Sequence, residues 1–165
     1  MKFIRKYLFS FDFVIALILS FIVFYKLNKE VSYDLSKDLL SVGINILTLI
    51  FSIFFAALAF MISSSDDEFV AFLEEENMFT TLVNSFKWTL WSLFIALAYC
   101  IILYISITYE HDLYPNCMVN RYFILLYCFT FFYALIATLL STSDAINYAQ
   151  RRIKFVVAKK TKNDA

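Results

Sequence analysis

The chain has 165 residues, of which 62% are hydrophobic, 20% aromatic and 17% charged, with a mean hydropathy of +0.73 and no net charge. Soluble domains average about 45–50% apolar and about 25% charged residues, and one of this size has no core large enough to hide such an excess. One glycine, one proline and twenty phenylalanines also exclude a linker, a disordered tail or a turn-rich β domain, which leaves an all-α membrane protein.

Uncharged stretches set the organisation: Phe13 to Tyr25, Leu39 to Ser65, Trp88 to Tyr109 and Tyr122 to Ser143. A spanning helix needs about 20 apolar residues. The last three stretches suffice alone, whereas the first reaches that length only with Tyr7 to Phe11 and the charged Asp12 included. The expectation is a four-helix transmembrane domain over 1–143, with spans over about 7–26, 39–63, 86–109 and 121–143 arranged as two hairpins. Lys2, Arg5 and Lys6 before an apolar segment also suit a signal peptide, but Phe24-Tyr25-Lys26 offers no small-residue cleavage site. Four spans put both termini on one side with the 63–86 loop, and that side holds ten Lys and Arg against four on the other. Basic residues stay cytoplasmic, so the chain reads as N-in and C-in. The exits of the second and fourth spans, Ala59 to Asp66 and Ala137 to Asp144, share Ala, Ser, Ser and Asp at an offset of 78 residues, which fits a duplicated hairpin.

Asp12 is an ionisable residue about one turn inside the first span, and such residues are functional candidates by default. It stands as a gating or ion-coordinating candidate, against the simpler reading that it reaches water or pairs with Arg5 or Lys6. In the second span Ser41, Asn45, Thr48, Ser52 and Ala56, continued by Ala59 and Ser63, recur in steps of four and three and so share one helical stripe. Small and hydroxylated residues let helices pack closely in lipid; copies of the helix in a homo-oligomer could equally line a polar pore. Asn45 leans towards the pore, because a mid-membrane amide needs water or a partner. Ser85, Thr89, Ser92 and Ala96 repeat the pattern in the third span, and Thr130, Ala134, Ala137 and Ser141 in the fourth. Trp88 and Trp91 mark the cytoplasmic interface, and Tyr104, Tyr109, Tyr114 and Tyr122 the external one.

Between the hairpins an amphipathic helix is expected over 65–79, opened by a capping box of Ser65 and Glu68. Asp66, Asp67, Glu68, Glu74 and Glu75 give it an acidic, partner-facing surface. The fourth span is expected to continue as a basic tail over 144–165, carrying Arg151, Arg152, Lys154, Lys159 and Lys160. The two segments suit one another, within or between subunits. The basic one is also where a nucleotide, an oligonucleotide or an anionic lipid would be gripped.

Catalytic constellations are missing from the sequence. His111 has Glu110, Asp112 and Cys117 nearby but no second histidine, so neither a metal nor another cofactor is expected. Gly43 alone cannot make a phosphate-binding loop. Cys100 and Cys128 lie in apolar runs, which argues against a disulfide framework. The expectation is a protein that is not an enzyme, and with one glycine interrupting a span it does not read as a transporter of broken helices.

Leu47-Thr48-Leu49-Ile50-Phe51-Ser52-Ile53-Phe54-Phe55-Ala56-Ala57-Leu58-Ala59, running into Ser63-Ser64-Ser65-Asp66-Asp67-Glu68-Phe69, resembles small four-span bacterial proteins of anti-phage defence operons. The Hailong-type membrane effectors come first, and the small membrane subunit of Kiwa second. The resemblance implies an oligomeric, channel-like toxin of the bacterial inner membrane, held shut by DNA oligomers from a companion nucleotidyltransferase. Charge and position would place such a ligand on the segment from Arg151 to Lys162. Two classes stay open: a gated pore-forming effector, and a non-conducting scaffold that recruits a soluble cytoplasmic defence partner.

Overall fold

The computed structural model describes residues 11–27, 30–63, 67–74, 77–115 and 118–163. In chain order they form α1 (Phe11–Lys26), β1 (Glu30–Val31), α2 (Tyr33–Ser63), α3 (Asp67–Glu74), α4 (Met78–Leu113), β2 (Val119–Asn120) and α5 (Arg121–Asn163). Three helices are long and apolar enough to cross a membrane: α2, α4, and α5 over Arg121–Val157. α1 has 16 residues. At 1.5 Å per residue it spans about 24 Å, short of a hydrocarbon core of about 30 Å. Residues 7–10, which would lengthen it, lie outside the described residues.

α2 and α4 pack through a heptad seam. Leu40, Leu47, Phe54 and Met61, seven residues apart, are buried on α2. On α4 the buried positions Leu82, Phe86, Thr89, Leu93, Ala96, Cys100, Leu103 and Ile107 alternate in steps of four and three. That is the spacing of the apolar seam in a left-handed helix pair. Phe54 stacks on Phe86 with ring centroids 5.1 Å apart, and the Cys100 thiol donates to the Leu40 carbonyl at 3.4 Å, so the helices run antiparallel.

α4 and α5 meet through small residues and hydroxyls instead. Ala96 and Ala134 are buried, and Thr89 Oγ1 and Ser141 Oγ share a hydrogen bond of 2.5 Å. Ser85 Oγ lies 3.3 Å from Ser141 Oγ and donates to Asp144 Oδ2 at 3.2 Å. These small faces let the two helices approach closely. α1 packs on α5, with Phe13 against Phe129 and Phe24 against Tyr122, and buries Ala16 and Ser20 there.

The principal packing order is therefore α1, α5, α4, α2. Two tandem hairpins would pair α1 with α2; instead α4 and α5 form a packed hairpin and α1 crosses to α5. The seam of α2 is occupied by α4, while the small face of α1 finds its partner on α5. The two interhelical loops are tied at one end, here the loop end, by β1 and β2, with Glu30 opposite Asn120 and Val31 opposite Val119. The opposite, or tail, end carries α3 and the extension of α5.

Tyr127 joins α5 to α2 by donating to the Leu39 carbonyl at 3.2 Å. Its ring passes across Gly43, where a Cβ would overlap the phenol oxygen and lie 2.9 Å from Cζ. Gly43→Ala should lower unfolding stability in detergent by about 1–3 kcal/mol through overpacking. Val42→Ala on the exposed face serves as the control, and equal stability of Gly43→Ala and the parent would contradict this packing.

Candidate functional site

The burial of the heptad fixes which way the polar stripe of α2 points. At 3.6 residues per turn, Asn45 lies about 180° around the helix from Phe54. Ser41, Asn45, Thr48, Ser52, Ala56, Ala59 and Ser63 are all exposed. The stripe thus faces away from α4, its principal partner. Ser52 Oγ returns its hydrogen to the Thr48 carbonyl at 2.9 Å, so this hydroxyl is satisfied within the helix. The Asn45 carboxamide makes no hydrogen bond among the described residues. Leaving such an amide against hydrocarbon costs about 2–7 kcal/mol. A neighbouring chain or water removes that cost.

Asp12 is placed elsewhere. It shares the helical face of Ala16 and Ser20, which is turned to α5, and its carboxylate lies within electrostatic reach of Tyr133. α5 and α4 intervene between α1 and α2 in the packing order, so the fold does not bring Asp12 and the α2 stripe together within one chain.

At the tail end, α3 folds back on the extension of α5. Phe69 is 1% exposed and packs against Tyr148 and Phe155 at 5.4 and 5.3 Å between centroids, with Phe72 5.2 Å from Phe155. Among the described residues, aromatic rings join the two charged segments. α3 is described as far as Glu74 and α4 begins at Met78, so the helix expected over 65–79 is divided; at the start of α4 the Glu74 carboxylate accepts from the Thr80 amide at 3.2 Å and the Thr80 hydroxyl at 2.6 Å. Asn77 makes the turn in the left-handed region at φ 55°, a conformation asparagine tolerates. Glu68 is exposed. Asp66 and Glu75 lie outside the described residues, as do Ser65 and the side chain of Asp67.

A cavity of about 530 Å3 opens between this turn and α5. Arg151 and Lys154 line it, together with Asp144 and the carboxamides of Asn77, Asn147 and Gln150. Arg151 Nη1 meets the Met78 sulfur at 3.1 Å, a weak acceptor for a guanidinium. Two of the basic residues singled out in the sequence therefore share one polar cavity. Arg152 is half-buried and does not line it. Lys159 and Lys160 continue the helix, and their side chains lie outside the description. The three carboxamides carry no charge and so were invisible to a reading by charge; Asn147, Arg151 and Lys154 share helical spacing, the one signal that linked them.

At the loop end, His111 stacks on Tyr33 with centroids 3.7 Å apart, and the Lys37 ammonium lies 5.6 Å from the Tyr33 centroid. No group of three His, Cys, Asp or Glu among the described residues could hold a metal ion. Cys117 lies outside the described residues.

Phe69→Ala should release α3 from α5. Hydrogen exchange over 67–74 should speed up markedly while 88–109 stays protected, and unchanged exchange over 67–74 would contradict the aromatic clasp. No protein-family model, curated protein or solved structure shows significant similarity to the chain.

Proposed function

We propose that this chain is an oligomeric membrane effector whose copies enclose an ion-permeable pore lined by the polar face of α2. The observation that carries the reading is the outward turn of Ser41, Asn45, Thr48, Ser52 and Ala56, with the Asn45 carboxamide unpartnered among the described residues. A single bundle of this size has its interior filled by side chains, so a polar path requires several copies around an axis. In this reading α1 belongs to a fourth membrane span. The excess of Lys and Arg then places both termini and the tail end in the cytoplasm.

Gating acts through that tail end, where the cavity lined by Arg151 and Lys154 joins the α3–α4 turn to the helix that continues from the fourth span. A ligand there would bear on the ends of α4 and α5 together. The setting in the bacterial inner membrane, with a soluble nucleotidyltransferase as partner, an oligonucleotide as gating ligand and a role in anti-phage defence, follows from the resemblance to Hailong-type effectors. Asp12, turned towards α5, acts in this reading on the packing of α1 rather than at the pore. The scaffold alternative recruits its partner through the acidic surface of α3 and the basic tail, where Glu68, Arg151 and Lys154 are exposed.

The test is membrane potential in bacteria expressing the chain from a tight inducible promoter, followed with a voltage-sensitive dye. The parent should depolarise the cells within minutes of induction, and Asn45→Leu, present in the membrane at equal level, should not. An unchanged potential with the parent inserted, or equal depolarisation by Asn45→Leu, would contradict a pore lined by α2.

A further inference from the structure

α4 carries a second outward feature, separate from the polar stripe of α2. Asn84, Lys87, Trp88, Trp91 and Ile95 follow helical spacing and line a hollow of about 370 Å3. Lys87 and Trp91 also border an adjoining groove of about 290 Å3, walled by Phe51, Phe55 and Leu58 of α2 and by Leu90 and Phe94 of α4. Lys87 is exposed, and neither its ammonium nor the Asn84 carboxamide has a partner among the described residues.

The helix register makes Lys87 conspicuous. With Phe54 stacked on Phe86, Lys87 stands level with Ile53 of α2, about 15 Å from the Ser63 end of that helix at 1.5 Å per residue. A cation beside an apolar wall at that level calls for an anion at hand. The two indoles place the headgroups nearer this level than the limits 39–63 of the second span would, so that the turns of α2 from Phe54 to Ser63 reach beyond it towards the tail end. An anion with a hydrocarbon chain attached satisfies both halves of the site.

We propose that the groove between α2 and α4 binds an anionic phospholipid, its phosphate held by Lys87 and Asn84 beside the indoles and one acyl chain lying against Phe51, Phe55 and Phe94. Filling the groove with hydrocarbon gains little over bulk lipid, so selectivity rests on the headgroup charge met by Lys87. A second copy of the chain seated there by its apolar surface would bury the ammonium without a counter-charge. The site requires a membrane-embedded chain but no pore, so it stands or falls separately from conduction.

Trp88 and Trp91 are the chain's two tryptophans, which makes the site its own fluorescent reporter. The full chain would be reconstituted in phosphatidylcholine vesicles, with brominated phosphatidylglycerol or brominated phosphatidylcholine added in increasing fractions. Quenching should show phosphatidylglycerol favoured by about fivefold, as expected for one added lysine contact. Lys87→Gln should bring that ratio close to one, while Lys87→Arg and Lys26→Gln, at the far end of the bundle, keep it, with circular dichroism showing equal helix content throughout. Equal quenching by the two lipids in the parent, or a preference surviving in Lys87→Gln, would overturn the proposal. So would the absence of quenching by either lipid, which would mean that protein covers the groove.

Discussion

The heptad seam between α2 and α4 sets the rotation of α2, and the exposure of its polar face follows. Leu40, Leu47, Phe54 and Met61 are 0–7% exposed, so rotating the helix would bring large apolar side chains out of a packed seam. Each such side chain contributes about 1.5–3 kcal/mol when buried from water. In lipid the gain is close packing rather than escape from water, yet the geometric consequence is the same. With those residues facing α4, Asn45 and Ser52 must face outwards. A membrane helix that presents its amide and hydroxyls outwards is incomplete as a lone span, and contact with another copy or with water completes it.

The tail end is built on a different principle. There the helices are fastened by directed contacts: the hydroxyls of Ser85, Thr89 and Ser141, the Glu74 cap on Thr80, and the rings of Phe69, Tyr148 and Phe155. These tie α3, α4 and the α5 extension into one unit that adjoins the polar cavity. The cavity thus adjoins both α4 and α5, and α4 in turn meets α2 at the stacked rings of Phe86 and Phe54.

Much of this was legible in the residues. The three long apolar runs, the continuation of the fourth beyond Ser143, and the small faces of the third and fourth all follow from charge gaps and helical spacing. The rotation of α2 was not legible, because two stripes recur along it at helical spacing: Leu40 to Met61, and Ser41 to Ser63. Periodicity says that each is a face, and only the partner's shape says which is buried. The partner of α1 was hidden for a similar reason, since Ala16 and Ser20 make a small face that α2 or α5 could receive. The service of Glu74 to the start of the neighbouring α4 is a contact that no local propensity reports. The cavity carboxamides come together from the turn before α4 and from α5, segments about 70 residues apart in the chain.

The central claim is that the polar face of α2 meets water or another copy rather than lipid, and cysteine accessibility tests it most directly. Single Asn45→Cys, Thr48→Cys and Ser52→Cys variants of the membrane-inserted chain would be treated with a charged, water-borne thiol reagent, beside Leu49→Cys and Ile53→Cys on the apolar flank. All variants would carry Cys117→Ser, so that the buried Cys100 and Cys128 are the remaining native thiols. Modification, or disulfide cross-linking between copies, at positions 45, 48 and 52 with little at 49 and 53 is the predicted result. Equal inertness at all five positions, or preferential modification of the apolar flank, would contradict it.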